Sequence, residues 1–359
     1  MTQSPDTPFV GRLSRRSILS RIATVGTFLA VDLGAVAYAN NWIGTRSFTP
    51  RAFIERFQSV YGLHPGFRRN HAKGVAVSGY FDSNGGGRQL SSAAVFGAGH
   101  WPVLGRFSLG GGNPGVADTP KAPRGLGLAI GFAGRNQWRT AMLNFPVFPV
   151  NSPQAFYDQV LASKPDPATG KPDPAAMTAF YAKYPASAAA AAVLKRQSPT
   201  AGFADSTFSS LNAFYFVSDS GNRTPVRWSF VPRQAAQPAM QDGRNGLFDA
   251  LVHQLHGTAL QWDLHLTMGI PTDSLDPTIA WPAQRRVINA GTLVLDHIMA
   301  DRPGNARDIS FDPLVLPNGI EPSDDPLLSA RSAVYAQSYR ARTGESPATA
   351  PVQAGTAAQ

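Results

Sequence analysis

Short apolar stretches separated by turns that contain Gly or Asn dominate the middle of the chain. They lie at residues 74–81, 92–96, 105–109, 126–132 and 138–148. Runs of this length between turn residues are typical of consecutive antiparallel strands. The same texture returns at residues 212–217, 226–231 and 260–268. The pattern predicts a β-sheet or barrel over roughly residues 74–150, with further strands in the second half of the chain.

Helical patterns precede and interrupt these strands. Phe53 and Phe57 recur at helical spacing after a Thr-Pro start, which predicts a short helix at residues 48–57. Residues 165–199 are rich in Ala, Pro and Lys, which favours helix and loop on the outside of the sheet. A further helix is predicted at residues 246–255, between two strands. The mixture indicates an α+β fold.

The first 45 residues have the pattern of a targeting segment and are not expected to belong to the fold. Arg15 and Arg16 precede Ser17 and two large apolar residues, an order similar to the twin-arginine export signal. Cleavage after the apolar stretch at residues 22–39 would release the domain into the periplasm or beyond. An uncleaved anchor in the inner membrane is the alternative, although Asp32 would be costly inside a bilayer.

Composition narrows the possible partners and chemistry. The chain has no cysteine, which excludes disulfides, zinc–thiolate sites, iron–sulfur clusters and thiolate-ligated haem. The net charge of +9 would suit nucleic acid or anionic lipid, but Lys and Arg form no basic run, so nucleic-acid binding is not expected. Arginines that face a buried anionic cofactor would use some of this charge. Residues 346–359 are mostly Ala, Pro, Thr and Gly, which predicts a disordered tail after a domain at 46–345.

The segment around His71 resembles the distal-histidine segment of haem catalases, in which an arginine lies three residues before the histidine. The segment here is Arg68-Arg69-Asn70-His71-Ala72-Lys73-Gly74. Later segments resemble the family in the same order: Arg106-Phe107-Ser108, Ala117-Asp118-Thr119, Pro123-Arg124-Gly125 and Pro146-Val147-Phe148. Near the C-terminus, Arg331 and Tyr335 are separated by three residues. This spacing is similar to the family's proximal motif of an arginine, three residues and a tyrosine. The resemblance covers about residues 50–343.

This resemblance implies an antiparallel β-barrel with surrounding helices that binds haem b. Tyr335 would be the iron ligand, and His71 would be the acid–base catalyst on the other face of the haem. Ser108 would hold the imidazole by a hydrogen bond, and Phe148 would lie over the haem. The arginines implied to bind the haem propionates are Arg68, Arg106 and Arg342.

Elementary chemistry agrees with this assignment. A tyrosine ligand must bind as the phenolate, although its ordinary pKa is about 10. Arg331 lies one helical turn before Tyr335, so it can place a permanent positive charge beside the phenolate oxygen. A neutral histidine can take a proton from the near oxygen of a peroxide and return it to the far oxygen. The substrate is therefore expected to be a peroxide, together with an electron donor that the sequence does not identify.

One position departs from the family pattern. Counting back from Pro146 places Leu143 where full-length catalases have a distal asparagine, and Asn144 lies one residue away. Neighbouring residues of a strand point to opposite faces, so Asn144 replaces the family's asparagine only if a bulge intervenes. An apolar Leu143 favours organic hydroperoxides and weak or absent catalase activity, as in the minimal catalase-related peroxidases.

Two other functions fit the same scaffold. The first is an enzyme that rearranges fatty-acid hydroperoxides, and the second is a non-catalytic exported haem carrier, which has no need of a distal base such as His71. Membrane contact is expected only through the N-terminal segment, and the oligomeric state stays open. His253 and His256 are three residues apart on a predicted helix, but no acidic third ligand accompanies them, so they are expected to be structural.

Overall fold

A computed structural model describes residues 49–134, 136–198, 200–236 and 243–355. The predicted leader at residues 1–45 and the end of the tail at 356–359 lie outside the described residues. Within the described part, no helix is both long and apolar enough to cross a membrane.

The strands of the described chain form one antiparallel sheet that closes on itself. They are β1 Gly74–Ser83, β2 Gly99–Leu109, β3 Arg124–Ile130, β4 Trp138–Leu143, β5 Phe208–Ser209, β6 Phe214–Val217, β7 Arg223–Pro232, β8 Leu260–Met268, β9 Val287–Ala300 and β10 Ile320–Pro322. The order β7-β5-β4-β3-β2-β1-β9-β8 is closed by pairing of β8 with β7, and β6 and β10 extend the sheet beside β7. The predicted antiparallel barrel is confirmed.

Helices surround the barrel. They are α1 Pro50–Tyr61, α2 Pro153–Ala162, α3 Pro174–Lys183, α4 Pro185–Arg196, α5 Gly246–Gly257 and α6 Pro326–Thr343. Helix α6 begins with Asp325, whose carboxylate accepts a hydrogen bond from the Leu327 N–H at 2.9 Å, and with Pro326 at the first helical position. The α+β prediction is therefore confirmed as well.

Three local expectations differ from the structure. The apolar run at residues 92–96 is a short 3-10 helix, Ala94–Phe96, in which Phe96 packs edge-on against Trp138 in the barrel interior. The fourth strand ends at Leu143 instead of continuing to residue 148, since Pro146 has no N–H for a sheet hydrogen bond. The long strand β9 was not predicted, because its buried and exposed residues do not alternate regularly.

Part of the tail also differs from the prediction of disorder. Val352 is fully buried and belongs to the main hydrophobic core, and the Pro351 carbonyl accepts a hydrogen bond from the Asn245 side chain at 3.2 Å. Val352 and the partly buried Ala354 pack against this core and attach the described part of the tail to the domain, which composition alone did not reveal.

Large side chains fill the barrel interior, so a cofactor must bind outside it. Val75 and Val77 of β1 belong to the interior core, whereas Ala76 between them faces outwards, as the two-residue period of a strand requires. On the outer face of β3, a Cβ on Gly127 would lie 2.6 Å from the Phe311 ring. Together with the outward-facing Ala129, these small residues form a flat outer wall.

A buried ion pair joins the segment after His71 to the start of α5. The Lys73 ammonium donates to Asp118 at 2.6 Å, and the second carboxylate oxygen of Asp118 accepts from the Leu247 N–H at 3.0 Å. Both side chains of the pair are almost completely buried, at 1% and 3% exposure. Removing one partner of this buried pair should therefore cost more stability than removing one partner of an exposed pair.

We expect Asp118→Ala to destabilise the protein by about 3–5 kcal/mol, because it leaves the Lys73 ammonium buried without its partner. Urea unfolding followed by circular dichroism measures this. Glu55→Ala is the matched control, since it removes an exposed pair with Arg51 and should cost less than about 0.5 kcal/mol. Equal losses in the two variants would contradict the assignment.

Candidate active site

A cavity of about 820 Å³ lies against the outer face of the barrel, beside α1 and α6. Its size is within the range of cofactor and ligand sites. All eight residues predicted from the sequence line it: Arg68, His71, Arg106, Ser108, Phe148, Arg331, Tyr335 and Arg342. The structure thus brings together side chains from four distant parts of the chain.

His71 is held in a backbone conformation that few residues other than glycine adopt, with φ of 57°. The side-chain oxygen of Asn70 accepts hydrogen bonds from the His71 N–H at 3.0 Å and from the Gly111 N–H at 2.8 Å. Arg106 donates to the His71 carbonyl at 2.8 Å. These hydrogen bonds stabilise the left-handed backbone of His71, and strained conformations at functional sites persist through such surrounding contacts.

The His71 imidazole is oriented by its neighbours on β2 and β3. Nδ1 lies 3.0 Å from the Ser108 hydroxyl, as predicted. Ser108 pairs with Gly125 across the two strands, and a Cβ on Gly125 would lie 3.1 Å from Nδ1 of His71. The glycine therefore makes room for the ring, and with Nδ1 engaged, Nε2 is left to face the cavity.

Electrostatics keep this imidazole neutral. Burial is the largest cause, and with the charges of Arg106 and Arg68 it lowers the pKa of His71 from 6.5 to about 3. A histidine that is neutral at all ordinary pH values can accept a proton, which is the requirement for a general base.

Helix α6 presents one face to the cavity. Arg331, Tyr335 and Arg342 are separated by four and seven residues, a spacing that repeats on one side of a helix. Tyr335 packs beside Phe311 and the small outer wall of the barrel. Within the described residues its hydroxyl has no hydrogen-bond partner, so the oxygen is available to a ligand in the cavity.

The Arg331 guanidinium is held by hydrogen bonds to two residues that the sequence analysis did not identify. It donates to the side-chain oxygen of Asn212 and, at 2.9 Å, to the Ala141 carbonyl. The amide of Asn212 donates in turn to Asp325 at 2.6 Å, the residue that caps α6. Burial raises the pKa of Asp325, and this buried chain of contacts positions the Arg331 guanidinium one turn from Tyr335.

Arg342, near the C-terminal end of α6, and Arg68, before β1, each have an N–H donor without an acceptor among the described residues. Arg68 and Arg342 both donate to the Arg307 carbonyl. Nε of each is buried and has no hydrogen-bond partner among the described residues. Burial, reinforced by Arg106, lowers the pKa of Arg342 to about 10 and that of Arg68 well below its usual value. Such a group of cations is suited to a ligand with negative oxygens.

Arg106 differs from the other two arginines. It forms a buried ion pair with Asp301, at 2.8 Å from Nη2, and it donates to the carbonyls of His71 and Ala72. A Cβ on Gly74 would lie 2.4 Å from its guanidinium carbon, so the glycine opens the path for this side chain. Arg106 therefore contributes mainly by holding the His71 backbone, with few donors left for a cofactor.

The strand register places Leu143 in the cavity and Asn144 outside it. Leu143 pairs with Gly125, which puts it in the same cross-strand row as Ser108, and it lines the cavity. The Asn144 side chain accepts a hydrogen bond from the Arg124 N–H at 2.8 Å instead. No bulge is present between β3 and β4, so Asn144 does not replace the family's distal asparagine.

The residues present fit a haem. The cavity has the size for a flat cofactor. The Tyr335 oxygen and the Nε of both Arg68 and Arg342 have no hydrogen-bond partner among the described residues, and iron and propionates would supply them. His253 and His256 lie on α5 away from the cavity, and the described residues contain no cluster of three His, Cys, Asp or Glu arranged to hold a metal ion.

Comparison with known proteins agrees with this geometry. The family model for Catalase matches residues 65–358. The chain belongs to the catalase family. It is 39% identical over 337 residues to a catalase-related peroxidase from Synechococcus elongatus, covering 90% of this chain and 95% of that protein. It is 28% identical over 303 residues to a catalase-related peroxidase from Mycolicibacterium paratuberculosis, covering 82% and 95%.

Full-length relatives are longer. The catalase of Rattus norvegicus is 28% identical over 308 residues, which cover 79% of this chain and 57% of that protein. Among solved structures, a fungal catalase superposes with a TM-score of 0.68 at 21% identity, covering 77% of this chain and 60% of that one. Catalase A of Saccharomyces cerevisiae gives 0.67 at 22% identity, covering 77% and 61%. At these identities the structures show the shared fold.

The chain is therefore an oxidoreductase that acts on peroxides, a haem peroxidase of the catalase family.

Because the pKa of His71 lies at about 3, the rate at which the haem protein reacts with peroxide should stay level from about pH 8 down to about pH 5. Stopped-flow absorbance of the haem band measures this. His71→Ala should be slower by about a hundredfold or more with haem still bound. A wild-type rate that falls with a midpoint near 6.5 would contradict the account.

Proposed function

We propose that the protein is a haem b peroxidase that reduces organic hydroperoxides in preference to hydrogen peroxide, with weak or no catalase activity. One observation carries the proposal: a single cavity is lined by His71, by Tyr335, whose hydroxyl has no partner among the described residues, and by Arg68 and Arg342, each with an unpaired Nε. The electron donor is a small reductant or protein that stays unidentified.

In this proposal each end of the cavity has its own task. Tyr335 would ligate the iron through its side-chain oxygen, with Arg331 one helical turn before it on α6. Arg68 and Arg342 would hold the propionates, with Arg106 beside them, and Phe148 would contribute an apolar surface to the haem site. The bound haem supplies the electrons that reduce the peroxide. His71 accepts the proton of the peroxide's near oxygen and returns it to the far oxygen, and Ser108 holds the imidazole in place.

The preference for organic hydroperoxides is supported by the lining of the cavity. Leu143 occupies the row next to Gly125, and aromatic side chains such as Phe145 and Phe156 continue the apolar surface. An apolar wall gains free energy by burying an alkyl group, which hydrogen peroxide lacks. Disproportionation of hydrogen peroxide needs a second peroxide held in position, and Leu143 offers no hydrogen bond for this.

Tyr335→Phe should lose the haem or bind it far more weakly, because the only proposed bond from the protein to iron is removed. The visible spectrum and haem content of the purified variant measure this. Tyr339→Phe is the matched control, since it lies one turn further along α6 and also lines the cavity. An unchanged spectrum in Tyr335→Phe would defeat the ligand assignment.

Turnover of an organic hydroperoxide with a dye reductant should exceed oxygen release from hydrogen peroxide. Leu143→Asn should raise oxygen release, since it introduces an amide at the cavity wall. Asn144→Ala, on the opposite face of the strand, should leave oxygen release unchanged. An oxygen electrode and a peroxidase assay measure both quantities. Oxygen release by the wild type at full catalase speed would refute the peroxidase preference.

We propose further that residues 1–45 direct the domain to the periplasm, or anchor it to the inner membrane through residues 22–39. The supporting feature is the pair Arg15 and Arg16 before an apolar stretch. Replacing both arginines by lysine should leave the protein in the cytoplasm, which cell fractionation detects. Unaltered delivery across the membrane would show that the pair is only the basic flank of another signal.

A further inference from the structure

The two ends of the Asn70 side chain have different surroundings. Oδ1 accepts hydrogen bonds from two backbone N–H groups, those of His71 and Gly111. Two donors at one end determine the amide orientation, because only the oxygen can accept. Nδ2 is therefore the opposite end, and within the described residues it has no hydrogen-bond acceptor. Asn70 and His71 line the same cavity.

We propose that Nδ2 of Asn70 donates a hydrogen bond to the peroxide, and that Asn70 thereby takes over the role of the amide that is absent at Leu143. The inference rests on the proposed peroxidase function. It assigns to Asn70 two tasks: Oδ1 holds the left-handed backbone of His71, and Nδ2 touches the substrate.

The reaction has a use for such a donor. When the O–O bond breaks, its two electrons leave with the far oxygen, which takes the proton from His71 and departs as water or an alcohol. Negative charge grows on that oxygen before the proton arrives. A donor that is already fixed stabilises this charge without reorganising, which makes it more effective than water. Oδ1 of Asn70 is anchored to the backbone twice, so its amide is fixed in this sense.

The cavity wall offers few substitutes near His71. Leu143 is apolar, and the Ser108 hydroxyl is engaged with Nδ1 of His71. Asn144, which has the right chemistry, accepts a hydrogen bond from the Arg124 N–H and does not line the cavity. Among the described residues that line the cavity, Asn70 is the one with a side-chain amide.

Two variants separate the tasks of Asn70. Asn70→Asp keeps the oxygen that accepts from the backbone but loses the N–H donor, and it adds a charge. Asn70→Leu loses both functions but adds no charge. The matched control is Asn144→Asp, which makes the same substitution at an asparagine that accepts a backbone N–H outside the cavity.

The primary readout is equilibrium binding of fluoride to the ferric haem protein, followed in the visible spectrum, since bound fluoride can only accept a hydrogen bond. Both Asn70 variants should bind it on the order of tenfold to a hundredfold more weakly than wild type. The step that consumes a hydroperoxide should slow in parallel. Adding Leu143→Asn to either variant should restore most of the affinity, because it returns a neutral amide to the cavity. Asn144→Asp should behave like wild type.

Each other outcome overturns the proposal. Wild-type fluoride affinity in Asn70→Asp, with a loss only in Asn70→Leu, would show that Asn70 merely holds the backbone. A loss in both that Leu143→Asn does not restore would show displacement of His71 or simple charge repulsion. If the wild type binds haem and consumes hydroperoxide, and the Asn70 variants equal it in fluoride affinity and in rate, only this inference is overturned. A wild type that does neither overturns the proposed function together with it.

Discussion

The cavity beside α6 collects positive charge without collecting negative charge. After burial, the charge of Arg106 is the next cause that lowers the pKa of both Arg68 and Arg342, and no described Asp or Glu lines the cavity. Asp301 forms its ion pair with Arg106. Burying guanidinium donors that lack an acceptor is costly unless a ligand supplies charge and acceptors. The site is therefore complete only with an anion in it, and the proximal and distal residues are arranged around that anion.

The barrel explains why the cavity has this form. Large aromatic side chains fill its interior, whereas Ala76 of β1 and Gly127 of β3 are small residues on the outer face. A flat group fits against such a wall, and α6 closes it on the other side with Tyr335. Strand register then decides the chemistry, because a shift of one residue would exchange Leu143 for Asn144 in the cavity.

Much of this was predictable from the sequence, and the limits are physical. Short apolar runs between turns predicted a sheet or barrel, and β8 was located to the residue. The ordered motifs around His71 and Tyr335 predicted eight site residues, and all eight line the cavity. Asn212, Asp325 and Asp301 were missed because their partners lie more than a hundred residues away or face them only after the barrel closes. Asn70 stood inside the quoted motif, but its role depends on the left-handed backbone of the next residue, which no pattern shows.

The most direct test of this account is to titrate the apoprotein with haem and with haem dimethyl ester, whose propionates carry no charge. If Arg68 and Arg342 bind the propionates, the ester should bind about a hundredfold more weakly or worse. Replacing both arginines by methionine should remove most of the difference between the two ligands. Equal affinity of the wild-type protein for haem and for its ester would contradict the central claim.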